Sequence, residues 1–154
     1  MALAAKRLGK DIHTRVLLGD GEIEEGQVWE MAWVADYYKA DNLTAVVDYN
    51  KIQQFGFPKD GNLRHRVNPL TRVAEKWRAF GWHVLEVDGH DFDVLIPAME
   101  EAKRTKGRPT CIIAHTIKGK GVSFMEGDYN WHAKVPNNDE LAKALTELET
   151  QRPR

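Results

Sequence analysis

A chain of 154 residues is the length of one ordinary domain, and 42% hydrophobic content is enough to bury a core. With 22 Lys and Arg against 23 Asp and Glu, the charge is balanced, which gives neither a nucleic acid nor an anionic membrane a reason to bind. One cysteine, Cys111, excludes an internal disulfide, and no apolar run approaches the ~18 residues that span a bilayer.

The elements follow in chain order. Met1 to Arg7 lacks the apolar length of a secretory signal and reads as the tail of a helix that ends at Gly9. Arg15 to Leu18 is a short strand that runs into Gly19-Asp20-Gly21. Glu25 to Lys39 reads as a helix, with Val28, Met31, Ala32, Ala35 and Tyr38 along one face. Leu43 to Val47 is a near-continuous apolar strand, suited to a sheet covered on both faces. A loop with Phe55-Gly56-Phe57-Pro58 and Asp60-Gly61 precedes a helix from Pro69 to Phe80. Trp82 to Val87 is a strand, Asp91 to Thr105 a helix, and Pro109 to Ala114 a strand in which Cys111 is a small core residue. A glycine-rich loop spans Gly119 to Gly127, and Asn137-Asn138-Asp139 caps a helix that runs to Leu148. This alternation is that of an α/β fold, a mostly parallel sheet flanked by helices. In such sheets ligands bind beyond the carboxyl ends of the strands. Gly19-Asp20-Gly21, Asp48-Tyr49-Asn50 and the loop after Ala114 all lie there.

An aspartate between two glycines at a strand end can reach a cation, although Asp-Gly is also an ordinary turn pair. Asn50 stands thirty residues after Asp20, one strand–helix–strand unit further on. A carboxylate and an amide oxygen suit a hard cation such as Mg²⁺, which keeps places for phosphate oxygens and water. Lys118 could be a solvated charge and His132 a partly packed ring beside Trp131. Glu24 and Glu25 could simply complement a helix dipole. His90 reads as part of a turn with Asp91 as cap. Of His13, His65, His83 and His115, only the last, at a strand end, has any claim. The five tryptophans read as packing, since no basic stripe accompanies them.

Gly19-Asp20-Gly21 followed by Asn50 resembles the thiamine-diphosphate signature. Leu18 to Gly26, Asp48-Tyr49-Asn50-Lys51-Ile52-Gln53, Glu86 to Asp91, and His115 to Ser123 with Trp131-His132 together resemble transketolases over nearly the whole chain. The resemblance implies residues 1–154 as a partial thiamine-diphosphate-binding fold. It implies Mg²⁺ (or Ca²⁺ or Mn²⁺) held by the side chains of Asp20 and Asn50 and the carbonyl of Ile52. Gly19, Asp20, Gly21, Asn50, Lys118 and His132 would bind the cofactor, Gly21 through its N–H. His132 would sit between cofactor and sugar and help move a proton. Glu25 would be buried near a subunit interface beside the pyrimidine.

The implied protein is a cytoplasmic, dimeric transferase of the pentose phosphate pathway that passes a two-carbon ketol unit between sugar phosphates, with no nucleic acid or membrane partner. The family's segment before Met1 and its pyrimidine-binding domain lie outside these residues. A shortened chain and a split enzyme whose partner supplies that domain are both open, and in either case a homo-oligomer or a bound partner is expected. Ala133 stands where the family pattern has glycine. The alternatives are a deoxyxylulose-phosphate synthase, a 2-oxo-acid dehydrogenase subunit, and a non-catalytic assembly fragment.

Overall fold

The computed structural model describes residues 1–53 and 71–151. The expected loop with Phe55-Gly56-Phe57-Pro58 and Asp60-Gly61, His65, and the expected helix start at Pro69 lie outside the described residues. The chain divides into two compact units, Met1–Tyr49 with Leu70–Thr116, and Asn50–Pro69 with Ile117–Arg154.

The first unit contains α1 (Ala2–Arg7), β1 (Thr14–Gly19), α2 (Gly26–Tyr37), β2 (Leu43–Tyr49), α3 (Val73–Ala79), β3 (His83–Asp88), α4 (Phe92–Arg104) and β4 (Thr110–His115). The four strands form one all-parallel sheet in the order β1-β2-β4-β3. The expected α/β architecture is therefore present. Its register sets the strand ends level: Gly19 lies opposite Asp48, Asp48 opposite Ala114, and Asp88 opposite His115.

Alternation along the strands divides the core between the two faces of the sheet. On one face Leu18, Ala45, Val47, Cys111 and Ile113 pack with Val28, Ala32 and Ala35 of α2 and Val73, Ala74 and Trp77 of α3. On the other face Ile112, with Val46, Leu85 and Val87, meets Ala98 and Ala102 of α4. Here β1 is bare, and Leu17 is 71% exposed. Cys111 is a buried core thiol, as its apolar run suggested.

The tryptophans explain much of the first core. Trp77 is fully buried and its ring lies 4.7 Å from Trp82 and 5.2 Å from Trp29. The indole N–H groups of these two neighbours are satisfied by backbone: Trp82 donates to the Ala32 carbonyl at 2.9 Å and Trp29 to that of Ile23 at 2.8 Å. Trp33 departs from this pattern and is 70% exposed on the outer side of α2.

Three helix ends share one closure. After α1 and α3, Gly9 and Gly81 take positive φ, and the next two N–H groups turn back to the last-turn carbonyls. The same closure ends α2 at Tyr37, with Lys39 at φ 48 in the seat that glycine usually fills. The helix therefore stops before Lys39, and Tyr38 is exposed instead of sharing the buried face. Within the described residues α3 begins at Val73, and Arg72 before it is left-handed at φ 55.

At the amino edge of the sheet, Asp41 ties three segments together. It receives the Lys6 ammonium at 2.7 Å and the Gly107 N–H at 2.9 Å. Burial pushes its carboxyl up, but these two donors outweigh that and hold it below the usual carboxylate range. Nearby, His13 bonds the Thr44 hydroxyl at 2.8 Å. Burial, then the charges of Arg15, Lys106 and Lys103, push its imidazole below the ordinary value.

The second unit contains α5 (Asn138–Thr150), a 3₁₀ turn at Tyr129–His132, and the loop from Ile117 onward. Asn137 caps α5 by accepting from the Glu140 N–H, and Glu140 returns the bond to the Asn137 N–H, both at 2.9 Å.

Two outcomes test the packing and the amino-edge cluster. Trp77→Ala is expected to cost about 3–5 kcal/mol in urea unfolding, whereas Trp33→Ala stays within about 0.5 kcal/mol for an isolated chain. For pH the signs agree. A lowered folded pKa at Asp41 gives stability that is present above about 3.9 and lost as pH falls through the folded value. A lowered pKa at His13 gives stability that is complete above about 6.5 and declines below it. Asp41→Asn should thus weaken the chain at pH 7 and converge with wild type in acid, while His13→Asn should flatten the decline just below neutrality.

Candidate functional site

The carboxyl edge of the sheet gathers the chemistry of the first unit. β1 ends at Gly19, and Asp20 follows it almost fully buried, 3% exposed. The Gly19 N–H is held by the Glu22 carboxylate at 3.1 Å. Gly21 opens the 3₁₀ turn Glu22–Glu24, which feeds α2. Glu25 is the residue before α2 and is exposed, with its carboxylate accepting from the Gln27 amide. The burial that the family pattern implies for Glu25 is absent within this chain.

One strand over, Asp48 accepts the Thr116 hydroxyl, which links the ends of β2 and β4. Tyr49 is half-buried, and its phenol is pushed up by burial and then by the negative charges of Asp20 and Glu86. His115 stands edge-on to Tyr49 at 5.5 Å and reaches the Glu86 carboxylate at 3.3 Å. Glu86 also meets Arg78 at 3.4 Å. An open pocket of about 230 Å³ lies here, with Tyr49, Arg78 and Glu86 among its lining residues. Of the four histidines without a strong claim, His115 had the best, and no individual role was read for Thr116, Tyr49 or Arg78. Their only advance mark was position: Tyr49, His115 and Thr116 sit at strand ends.

His90 behaves as the turn residue it was read to be. Its N–H bonds Asp88 at 2.8 Å, and Asp91 caps α4 through the Asp93 N–H at 2.8 Å.

Asn50, Ile52, Lys118 and His132 belong to the second unit. The Asn50 side-chain oxygen accepts from the Ile52 N–H at 2.9 Å, a side-chain-closed turn. Lys51 between them is left-handed at φ 64. A non-glycine residue in that region marks a turn held by its surroundings.

Lys118 stands at the base of the glycine-rich loop, where its carbonyl accepts the Gly127 N–H at 2.9 Å. Gly119, Gly121 and Gly127 all have positive φ. A Cβ on Gly119 would fall 2.7 Å from the Met125 backbone, so only glycine closes the loop without displacing it. His132 ends the 3₁₀ turn and is exposed, lying parallel to Tyr129 at 6.3 Å. Ala133 has φ −132, which any residue adopts, so the absent glycine leaves the turn unstrained.

Among the described residues, no group of three or more His, Cys, Asp or Glu side chains is arranged for a metal. A donor set of one carboxylate, one amide and one carbonyl is a different chemistry, and an all-oxygen set of that kind fits Mg²⁺. No helix of the described residues is long and apolar enough to cross a membrane.

Comparison with known proteins agrees in sequence and in fold. Residues 6–152 match the family described as "Transketolase, thiamine diphosphate binding domain". The 6-deoxy-6-sulfo-D-fructose transketolase subunit SqwG of Clostridium sp. (strain MSTE9) is 43% identical over 153 residues, covering 98% of this chain and 53% of that one. An apulose-4-phosphate transketolase subunit of Phocaeicola vulgatus is 40% identical over 148 residues, covering 96% of this chain and 50% of that one. This chain thus spans about half the length of these two relatives. Of solved structures, transketolase from Campylobacter jejuni superposes with a TM-score of 0.82 at 29% identity, covering 96% of this chain and 23% of that one. The chain belongs to the transketolase thiamine diphosphate binding domain family.

Proposed function

We propose that this chain binds the metal–diphosphate end of thiamine diphosphate, as one part of a transferase that moves a two-carbon ketol unit between sugar phosphates. The observation that carries this reading is Asp20. It is almost wholly buried, between two glycines directly after β1, at the strand ends where parallel sheets bind their ligands. The neighbouring strand runs directly into Asn50 and its closed turn.

In this reading Asp20, Asn50 and the Ile52 carbonyl hold Mg²⁺, for which Ca²⁺ or Mn²⁺ can substitute. Gly21 offers its N–H to the diphosphate, with Gly19 shaping the approach. Lys118 supplies a positive charge toward the same group. His132 hydrogen-bonds diphosphate or sugar and carries a proton between donor and acceptor. When bound, the cofactor supplies the nucleophilic carbon that accepts the ketol unit. The protein's share is to place it and balance its charge.

A partner chain or domain that binds the pyrimidine completes the site, and Glu25 would be buried against it. The surface of α2 supports such a partner. The helix is apolar toward the core through Val28, Ala32 and Ala35, yet also exposes Trp33, Val34 and Tyr37 outward. A helix apolar all round is one that becomes buried on both sides. The relatives named as transketolase subunits support the same reading, and their names carry a sulfonated and a phosphorylated sugar. We therefore take an anionic sugar as the substrate class and a homo-oligomeric assembly as the working form.

Calorimetric titration of thiamine diphosphate into the purified chain tests this directly. Binding is expected with Mg²⁺ and not after chelation, and Asp20→Ala is expected to abolish the Mg²⁺-dependent part. Equal affinity in the Asp20 variant would contradict the site. The chain alone should show no ketol transfer, and turnover by it would contradict the half-site.

A further inference from the structure

We propose that Glu147 of α5 is a positioning residue that holds the Lys118 loop and His132 in place, which makes α5 a clamp on the cofactor side of the site. The proposal rests on the reading of Lys118 and His132 given above.

The contacts form one chain. The Glu147 carboxylate accepts from Ser123 twice, from its N–H at 2.5 Å and from its hydroxyl at 2.8 Å. Two bonds to one residue fix both distance and orientation. A turn further along α5's exit, the Gln151 amide donates to the Gly121 carbonyl at 2.8 Å. Gly121 is buried at φ 90, and a Cβ there would lie 2.9 Å from Leu148, so its bare backbone lets α5 come close. These bonds grip the middle of a loop whose ends are already closed between Lys118 and Gly127.

The grip continues to His132. Phe124 follows Ser123, and its carbonyl accepts the Trp131 indole N–H at 2.9 Å. The two rings meet edge to face at 5.4 Å. The Lys143 ammonium of α5 lies 5.0 Å from the Phe124 ring, and that of Lys134 lies 4.1 Å from the Trp131 ring. His132 is the next residue. No residue read above as binding the cofactor lies on α5, so its influence acts through the loop. The Ser123 N–H and hydroxyl also hold the Glu147 carboxyl below the usual range, so the clamp remains charged at neutral pH.

The test pairs two readouts on the full chain with Glu147→Ala and Glu147→Gln. Amide hydrogen exchange without cofactor reads the loop, through Val122, Met125, Glu126 and Gly127. Titration with thiamine diphosphate and Mg²⁺ reads the site. Loss of one or two hydrogen bonds predicts roughly tenfold faster loop exchange and roughly tenfold weaker binding in the alanine variant. Glutamine can still accept from the N–H, so it should restore part of both. Ser123→Ala, which leaves α5 intact, should weaken both in the same direction. Unchanged loop exchange in Glu147→Ala overturns the clamp. Faster exchange with unchanged affinity overturns the positioning role. A wild-type chain that does not bind thiamine diphosphate is a failure of the underlying reading, visible before any variant is made, and it removes the positioning role as well.

Discussion

Parallel pairing in a single register is the constraint on which the first unit depends. Once Gly19 lies opposite Asp48, and Asp48 opposite Ala114, the chain leaves β1, β2 and β4 at one edge. Each strand then delivers its next residues to that edge without further instruction. Asp20, Asn50 and Thr116 are simply the residues that come next in the chain. A slip of one residue would turn the side chains of a strand to the opposite face of the sheet. The near-continuous apolar character of β2 and β4, buried on both faces, resists such a slip.

The two edges of this sheet divide their labour. The amino edge is closed by Asp41, with Lys6 and Gly107 bonded to it, and by the His13–Thr44 pair. These groups hold segments together and face no pocket that the candidate chemistry uses. The carboxyl edge carries polar side chains, Asp20, Asp48, Tyr49 and His115, with the charges of Asp20 and Glu86 acting on Tyr49 and Glu86 reaching His115. In the proposed reading, function is concentrated where the strands end and cohesion where they begin.

Much of this was legible in the residues. Strands could be read because β2 and β4 are unbroken apolar runs. The proposed metal ligands stood out because glycines flank Asp20 and a whole strand–helix–strand unit separates it from Asn50. What could not be read depends on contacts distant in sequence. The order β1-β2-β4-β3 inserts the last strand between two earlier ones, and no local pattern announces it. The pairing of His115 with Glu86 follows from that order, as does the link from Thr116 to Asp48. The grip of Glu147 on Ser123 joins residues 24 apart, from a helix whose cap and extent were visible but whose packing partner was not. The end of α2 shifted where Lys39 took a left-handed seat that sequence reading reserves for glycine.

The central claim is that Asp20, Asn50 and Ile52 hold one metal ion. Crystals grown with thiamine diphosphate and Mn²⁺ would test it by anomalous scattering at the manganese edge. The account predicts a single peak at about 2.1–2.2 Å from a carboxylate oxygen of Asp20, the side-chain oxygen of Asn50 and the carbonyl of Ile52, with diphosphate oxygens completing an octahedron. A cofactor bound with the manganese peak elsewhere, or with Asp20 and Asn50 bonded to other groups, would contradict it.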